Sequence, residues 1–298
     1  MKRLMTISLL LALSLVLQAQ GKKIVRKMEK GMERTYVTKS TTSVPGQKDV
    51  NVTCETKYMV TGTTADGYIL EVVTTSVSSD ATPDNIAGQL ISAGEELLKD
   101  CHIRIATDMS GKTLKILNYD ELKAKLTVQC DKFVGKMFEA IPQIQQVMSK
   151  DKLKSQIMEN VTEEKLVSTL CHTGVLALNG KMVMTGAQEE YVNEQNLKMK
   201  RTYFVTENSV VTNSCMNMTK DELKQLIIEK VGELMPEQAD MIKQNIDKIM
   251  DSGLLKMDMK ETATYLLQKD DWLKSVTIEM TNNTMGQQAV SKTTITVK

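Results

Sequence analysis

The chain has 298 residues, and its 38 Lys and Arg against 37 Asp and Glu give a formal net charge of +1. This balance gives no electrostatic reason to expect nucleic acid or an anionic membrane surface as a partner. The hydrophobic fraction of 41% and the charged fraction of 25% are those of a globular protein, which excludes disordered, collagen-like and multi-span membrane chains.

Residues 1–19 have the pattern of a secretory signal peptide. A Lys-Arg start precedes the uncharged apolar residues 7–17, and Ala19 places a small residue before a predicted cut at Gln20. The apolar stretch is too short to cross a bilayer as a helix, and no Cys lies near the cut to accept a lipid. We therefore expect an exported protein of the periplasm, the cell surface or the extracellular space, with neither a lipid anchor nor a transmembrane span in the mature chain.

The mature chain is predicted to begin with β-strands. From 50 to 61, apolar or small side chains alternate with polar ones, which is the period of two of a half-buried strand. The segments 34–44 before it and 68–77 after it are rich in Thr, Val and Tyr, and Pro-Gly and Asp-Gly dipeptides supply turns between them. These patterns predict a three-strand antiparallel meander.

Helices follow the meander. Thr82 and the Pro after it predict the start of a helix, and strands are expected next at 101–107 and 113–117. Asn118 and Glu121 then form the sequence pattern of a capping box. Apolar residues recur behind it at helical spacing, at Leu122, Leu126, Cys130, Phe133, Met137 and Ile141.

The second half of the chain repeats this order. Strands are predicted near 182–185, 197–206 and 209–218, and Thr219 with Glu222 forms a second capping-box pattern. The helix that it opens carries an apolar face at Leu223, Leu226, Ile227, Val231 and Leu234. A further helix is predicted to start at Pro236, and three strands follow it.

These elements predict an α+β fold in which a curved antiparallel β-sheet packs against amphipathic helices. The repeated order suggests two related halves, 20–174 and 175–298, and the tetrapeptide Asp-Glu-Leu-Lys starts the main helix in both. No linker rich in Pro, Gly or Ser separates the halves, so we favour a single body over 20–298.

Two Cys-His pairs, Cys101-His102 and Cys171-His172, are candidates for metal or disulfide chemistry. Two Cys and two His are a ligand set for zinc, but neighbours on a strand point to opposite faces. In an exported protein, Cys101 and Cys171 are alternatively candidates for a disulfide. We favour the disulfide over zinc, and ordinary buried Cys residues over both.

Methionine is the most unusual component, with 21 residues in the chain. Three Met-x-Met pairs lie in predicted strands, at Met182/Met184, Met216/Met218 and Met257/Met259, so each pair points to one face. Three interpretations stand: Met fills a core that is poor in aromatic residues, Met lines a pliable cavity for an apolar ligand, or the thioethers bind Cu(I).

The sequence offers little for catalysis. Residues 106–113, ATDMSGKT, fit a loose phosphate-loop pattern, but a strand is predicted after the Lys, so we expect a hairpin turn. The chain has only two His and no G-x-S-x-G or H-E-x-x-H motif. Adjacent carboxylates such as Glu189-Glu190 cannot face each other across a substrate. We therefore predict a protein that is not an enzyme and has no cofactor.

The leader ending in Ala19-Gln20, the Thr-rich strands with turns such as Asp66-Gly67, the Gly-Lys-Thr-Leu hairpin and the inserted helices occur together. This combination resembles exported envelope proteins of Gram-negative bacteria. The layout is also similar to lipoprotein-carrier proteins, in which a curved antiparallel sheet wraps helices around an apolar cavity. The resemblance implies an envelope location and an apolar cavity.

The leading hypothesis is therefore an envelope protein that binds an apolar small molecule or lipid. Its site would be lined by the apolar faces of the two main helices, at Leu122, Leu126, Phe133, Met137, Leu223, Ile227 and Val231. A plain hydrophobic core would use the same residues. The alternatives are a structural or interaction module with an envelope protein as partner, and a copper-handling protein that uses the Met-x-Met pairs.

Overall fold

A computed structural model describes residues 21–43, 45–82, 94, 96–146, 148–159, 161–193, 195–234, 236–251, 257–284 and 287–298. The predicted signal peptide with its cut at Ala19 and Gln20, and most of the helix expected after Thr82, lie outside these residues. The described chain has five α-helices and two antiparallel sheets, the larger with 11 strands in an open order, which confirms the α+β class with a curved sheet.

The strands, in chain order, are β1 (Gly21–Lys23), β2 (Glu33–Ser43), β3 (Val50–Thr63), β4 (Tyr68–Ser79), β5 (His102–Thr107), β6 (Thr113–Ile116), β7 (Met182–Met184), β8 (Gln188–Val192), β9 (Lys198–Val205), β10 (Ser209–Met216), β11 (Met257–Leu267), β12 (Leu273–Thr284) and β13 (Gln287–Val297). The α-helices are α1 (Tyr119–Ala140), α2 (Lys150–Met158), α3 (Glu163–His172), α4 (Lys220–Leu234) and α5 (Pro236–Asp251), with short 3₁₀ helices at Pro142–Gln146 and Gly174–Leu176.

The large sheet has the strand order β6-β5-β4-β3-β2-β13-β12-β11-β10-β9-β8. The predicted meander is confirmed, because β2, β3 and β4 pair in sequence. At the centre, β2 pairs antiparallel with β13, from Tyr36 opposite Val297 to Ser43 opposite Val290. The sheet therefore has two arms, one built from β2–β6 and the other from β8–β13.

Turn chemistry sets the corners of the first arm. In the Asp66-Gly67 turn, a Cβ atom on Gly67 would lie 1.8 Å from the backbone oxygen of Thr107, so only glycine fits there. The segment with the loose phosphate-loop pattern is the hairpin between β5 and β6, as predicted. Asp108 Oδ1 closes this hairpin by accepting hydrogen bonds from the backbone N–H groups of Ser110 (2.8 Å) and Lys112 (3.0 Å).

The main core lies where two irregular segments pack against the sheet. Ile24 and Met28 come from the segment after β1, and the apolar run Val175 to Leu178 follows α3. Trp272, immediately before β12, is 1% exposed and donates its indole N–H to the backbone oxygen of Lys27 at 2.9 Å. These segments bury the apolar side chains of both arms in one continuous cluster.

The helices divide between the two arms. The first part of α1 buries Leu122 and Leu126 against Cys101 and Ile116, and α3 packs on β6. The second part of α1 packs on α2, while α4 and α5 pack on each other. No helix in the described part of the chain is long and apolar enough to cross a membrane.

Candidate binding site

Strand register gathers six methionines at one end of the second arm. Met199 on β9 is directly opposite Met216 on β10. The pairing of β10 with β11 ends at Cys215 opposite Lys260, so the next residues, Met216 and Met259, are neighbours on the same face. Met218, Met257 and, on β12, Met280 complete the group. This methionine cluster consists of Leu197, Met199, Met216, Met218, Met257, Met259 and Met280, with Tyr191 and Leu226 packed against it.

Burial within the methionine cluster is uneven. Met199 and Met259 are 2% and 4% exposed, whereas the other four methionines are half-buried. Asn193 Nδ2 lies 3.4 Å from the sulfur of Met259. The cluster is therefore an apolar region made largely of flexible thioether side chains that are only partly covered.

Helix α4 lies over this cluster through Leu226. Its start is fixed by the predicted capping box: Thr219 Oγ1 accepts the N–H of Glu222 (3.2 Å), and a Glu222 carboxylate oxygen accepts the N–H of Thr219 (2.8 Å). Lys198 on β9 pairs with the same carboxylate at 2.5 Å. The hydrogen bond from Lys198, together with those from Thr219, lowers the pKa of Glu222 to about 2. The start of α4 is thus joined to the strand that carries Met199.

A polar network lies beside the methionine cluster. On β9, β10 and β11, its residues are two positions away from the methionines of the cluster. Arg201 is 1% exposed and donates to Ser214 Oγ (3.1 Å), Tyr191 OH (3.2 Å) and the backbone oxygen of His172 (3.3 Å). Its guanidinium also lies 3.4 Å from Glu261 and 4.5 Å from the ring centre of Tyr191. Tyr191 therefore contacts both the methionine cluster and the polar network.

Glu189 is the second centre of the polar network. Lys181 Nζ lies 3.0 Å from its Oε1, His172 Nε2 lies 3.7 Å from the same atom, and Tyr203 donates its hydroxyl to Oε2. Burial alone would raise the pKa of Glu189, but hydrogen bonds from His172 and Tyr203 and the charge of Lys181 outweigh it and hold this pKa far below its usual range. Burial in turn lowers the pKa of Lys181, although Glu189 opposes that shift.

The residues predicted to line an apolar site lie in different parts of the molecule. Leu122 and Leu126 are buried under α1 in a cluster of their own, and Phe133 and Met137 pack against the cluster that joins α1 to α2. On α4, Leu223 is buried and Ile227 is half-buried, while the side chain of Val231 lies outside the described part. Among the described residues, the two helix faces therefore pack against different partners rather than against each other.

Phe133 borders a cavity of about 310 Å³ between α1 and the chain before β5. Most of its lining is polar or charged, namely Glu96, Leu97, Lys99, Asp100, Gln129, Lys132, Phe133 and Lys136. Lys136 pairs with Glu96 at 3.0 Å across it. This cavity does not have the apolar lining that the sequence analysis predicted around Phe133.

The structure does not bring Cys101 and Cys171 together, and both are free thiols. Cys171 lies 3.8 Å from the backbone oxygen of Thr113, which pairs with Thr107 at the far end of β5 from Cys101. At about 3.3 Å per residue, the length of β5 separates the two by roughly 20 Å, whereas a disulfide needs Cα atoms within about 7 Å. The two histidines contact different carboxylates, His102 contacting Glu71 (2.5 Å) and His172 contacting Glu189.

Sequence reasoning missed the polar network because β8 was not predicted as a strand. Adjacent Glu189 and Glu190 were considered only as a carboxylate pair that cannot act together across a substrate, and on a strand they face opposite sides. Glu189 is opposite Arg201 and joins the network, whereas Glu190 is exposed. The available signal was the spacing of Glu189 and Tyr191, two residues apart and therefore on one face of a strand. The short length of β8 made this signal too weak to recognise.

No protein-family model and no curated protein matches the chain. Among solved structures, lipovitellin, from a study of its lipid–protein interactions, is similar at 8% identity and a TM-score of 0.38, over 91% of this chain but 25% of lipovitellin. A porin-like protein from Bacteroides uniformis has 8% identity and a TM-score of 0.18 (91% of this chain, 98% of that one). An outer membrane channel from Pseudomonas putida F1 has 5% identity and a TM-score of 0.18 (92% and 98%). At such low TM-scores these likenesses carry no argument.

Proposed function

We propose that the chain is an exported envelope protein that is not an enzyme and binds an apolar, lipid-type ligand at the methionine cluster under α4. The observation that carries the proposal is the cluster itself, in which four of six methionines are only half-buried. The leader-like pattern at 1–19 supports export, and the ligand class follows from the side chains that line the site.

Methionine suits a site for an apolar ligand of variable shape. Its unbranched side chain rotates about several bonds, and its polarizable sulfur contacts aliphatic and aromatic groups well. Surfaces rich in Met can re-pack around different apolar ligands. All seven members of the methionine cluster are apolar, so a hydrocarbon chain would meet no unpaired charge among them.

Helix α4, on which α5 packs, covers this site through Leu226. The two helices pack mainly on each other, and Lys224 on α4 pairs with Asp247 on α5 at 2.6 Å. The link between Lys198 and Glu222 fixes one end of α4 to β9. A helix pair held in this way would swing as a unit about the start of α4 and admit a ligand to the half-buried methionines.

The polar network gives the proposed site one polar end. Tyr191 lies between the methionines and Arg201, so an apolar chain in the cluster would end beside hydroxyl and guanidinium groups. A ligand with a hydrocarbon body and one polar terminus matches this arrangement. The depressed pKa of Glu189 keeps it a carboxylate paired with Lys181, and a group that stays ionised is a poor general acid or base near neutral pH.

The proposal is tested by binding of 11-(dansylamino)undecanoic acid, followed by dansyl fluorescence. Replacing half-buried Met218 and Met257 together by Glu places charges in the methionine cluster, and we expect binding at least about tenfold weaker. The matched control replaces exposed Met182 and Met184 by Glu and should leave binding unchanged. Circular dichroism checks that both double variants are folded.

Equal binding by the cluster variant and the wild type would contradict the proposed site. Native mass spectrometry of the protein, purified from its own envelope without detergent, tests the ligand class. An added mass released by organic solvent supports it, whereas a bare chain that also fails to bind the probe would favour the structural or protein-interaction module.

A further inference from the structure

Met182 and Met184 differ from the other two Met-x-Met pairs because they are exposed. They are 62% and 46% exposed, whereas the other pairs pack in the methionine cluster. Both lie on β7, which pairs with β1 so that Gly21 is opposite Met184 and Lys23 is opposite Met182. Val183 between them is 1% exposed in the main core, so a firmly anchored strand presents two thioethers on its outer face.

Gly21 brings the two sulfurs to one place. A Cβ atom on Gly21 would lie 2.9 Å from Cγ of Met184, 3.5 Å from its sulfur and 3.6 Å from the sulfur of Met182. Both sulfurs therefore border the same small space, which stays open because residue 21 has no side chain. Any other residue there would push the side chain of Met184 away.

We propose that Met182 and Met184 form a two-thioether site for a soft monovalent metal ion, Cu(I) or Ag(I). Thioether sulfur is a soft ligand that selects such ions. Residues i and i+2 of a strand lie on one face about 6.6 Å apart, and the flexible Met side chains reach an ion between them. A thioether needs no deprotonation and forms no disulfide, so the site works in an oxidising compartment.

Neighbouring charge favours a monovalent ion. Lys23 lies on the same face and is exposed, and its ammonium group repels a divalent ion more strongly than a monovalent one. The site lies on the small sheet formed by β1 and β7, whereas the methionine cluster lies on β9–β12. This inference is therefore independent of the proposed function, and either can fail without the other.

The test is a titration of the full mature chain with Ag(I), a soft ion that needs no reductant, followed by NMR of ¹³C-labelled methionine methyl groups. The exposed thiol is removed by Cys215→Ser, since the other Cys residues are buried or half-buried. We expect one equivalent of Ag(I) to shift the two signals of Met182 and Met184, assigned with single Met→Leu variants, and to leave the signals of the methionine cluster in place.

Three variants separate this site from general methionine binding. Met182→Leu with Met184→Leu should abolish binding of the first equivalent, whereas Met216→Leu with Met218→Leu should retain it. Gly21→Ala keeps both sulfurs but displaces Met184, so affinity should fall severalfold. The proposal is overturned if Ag(I) shifts the signals of the methionine cluster first, if it goes to thiols and leaves Met182 and Met184 unshifted, or if the first double variant binds as the parent does.

Discussion

Arg26 carries a positive charge into the main core, where it is 1% exposed. One guanidinium nitrogen donates to the backbone oxygen of Val175, the other two nitrogens have no hydrogen-bond partner among the described residues, and the group lies 5.0 Å from the ring centre of Trp272. Burial lowers the pKa of Arg26 to about 10. A buried charge with so few partners costs free energy that an apolar side chain of similar volume avoids.

We therefore expect Arg26→Met to have a free energy of unfolding within about 1 kcal/mol of the wild type, or above it. Arg26→Ala, which removes the same charge but leaves a cavity, should lose about 2–5 kcal/mol. Urea unfolding followed by the fluorescence of Trp272 measures both. If the Met variant were as unstable as the Ala variant, the contact of the charge with Trp272 and Val175 would have to stabilise the fold.

Two helices that begin with the same tetrapeptide start in different ways. At α4 the capping box of Thr219 and Glu222 forms in both directions. At α1 the predicted box is wrong: Asn118 makes no cap hydrogen bond, and its side chain instead binds the backbone N–H of Arg104 and the backbone oxygen of His102 on β5. The adjacent strand offers Asn118 partners that a sequence pattern does not reveal.

This difference predicts unequal effects of equivalent substitutions. Thr219→Ala removes a working cap and should reduce the stability of α4 by about 1 kcal/mol, and Glu222→Ala should also destabilise α4. Glu121→Ala, at the matching position of α1, should change stability by less than about 0.5 kcal/mol. Hydrogen exchange of the amides in each helix measures the effects, and equal losses in both helices would contradict this account.

Most single elements could be predicted because their signals are local. Alternation over 50–61 indicated β3, and apolar spacing behind Asn118 indicated α1. The short strands β1 and β8 were missed, since three to five residues carry too little pattern. The methionine cluster could be predicted only in part: the Met-x-Met pairs were visible, but the meeting of two of them with Met199 and Met280 depends on register, which no single strand encodes.

Beyond single elements, the polar network joins the two predicted halves of the chain. His172 ends α3 in the first half, whereas Glu189 and Arg201 lie on strands of the second. Both the ring and the backbone oxygen of His172 contact that second half. The repeated order of elements in the sequence suggested two halves. The contact between the halves could not be predicted, because the contact joins residues on three separate elements.

The depressed pKa of Glu189 makes this contact sensitive to acid. Because its folded-state pKa lies below the ordinary value of 4.5, Glu189 adds stability above about pH 4.5 and loses that contribution as the pH falls further. We expect Glu189→Gln to be less stable than the wild type at pH 7 and to show a weaker loss of stability between pH 5 and about pH 3. Thermal melts of the variant and the wild type across this pH range measure the difference in stability.

The neighbouring Glu190 provides the matched control. It is exposed and accepts a hydrogen bond from the side chain of Asn217 at 3.1 Å. Glu190→Gln should therefore keep the pH dependence of the wild type. An unchanged acid response in Glu189→Gln would show that other carboxylates govern the acid sensitivity of the fold.

The pairing of β2 with β13 also dictates an order of events during synthesis. β2 is the first strand of the large sheet to emerge, and β13 is the last. Until β13 has been made, one edge of β2 stays open and the first arm cannot be joined to the second. Contacts that span almost the entire chain are slow to form, and an open edge invites pairing with other chains. If the chain is exported before it folds, as proposed, this stage takes place outside the compartment in which the chain is made.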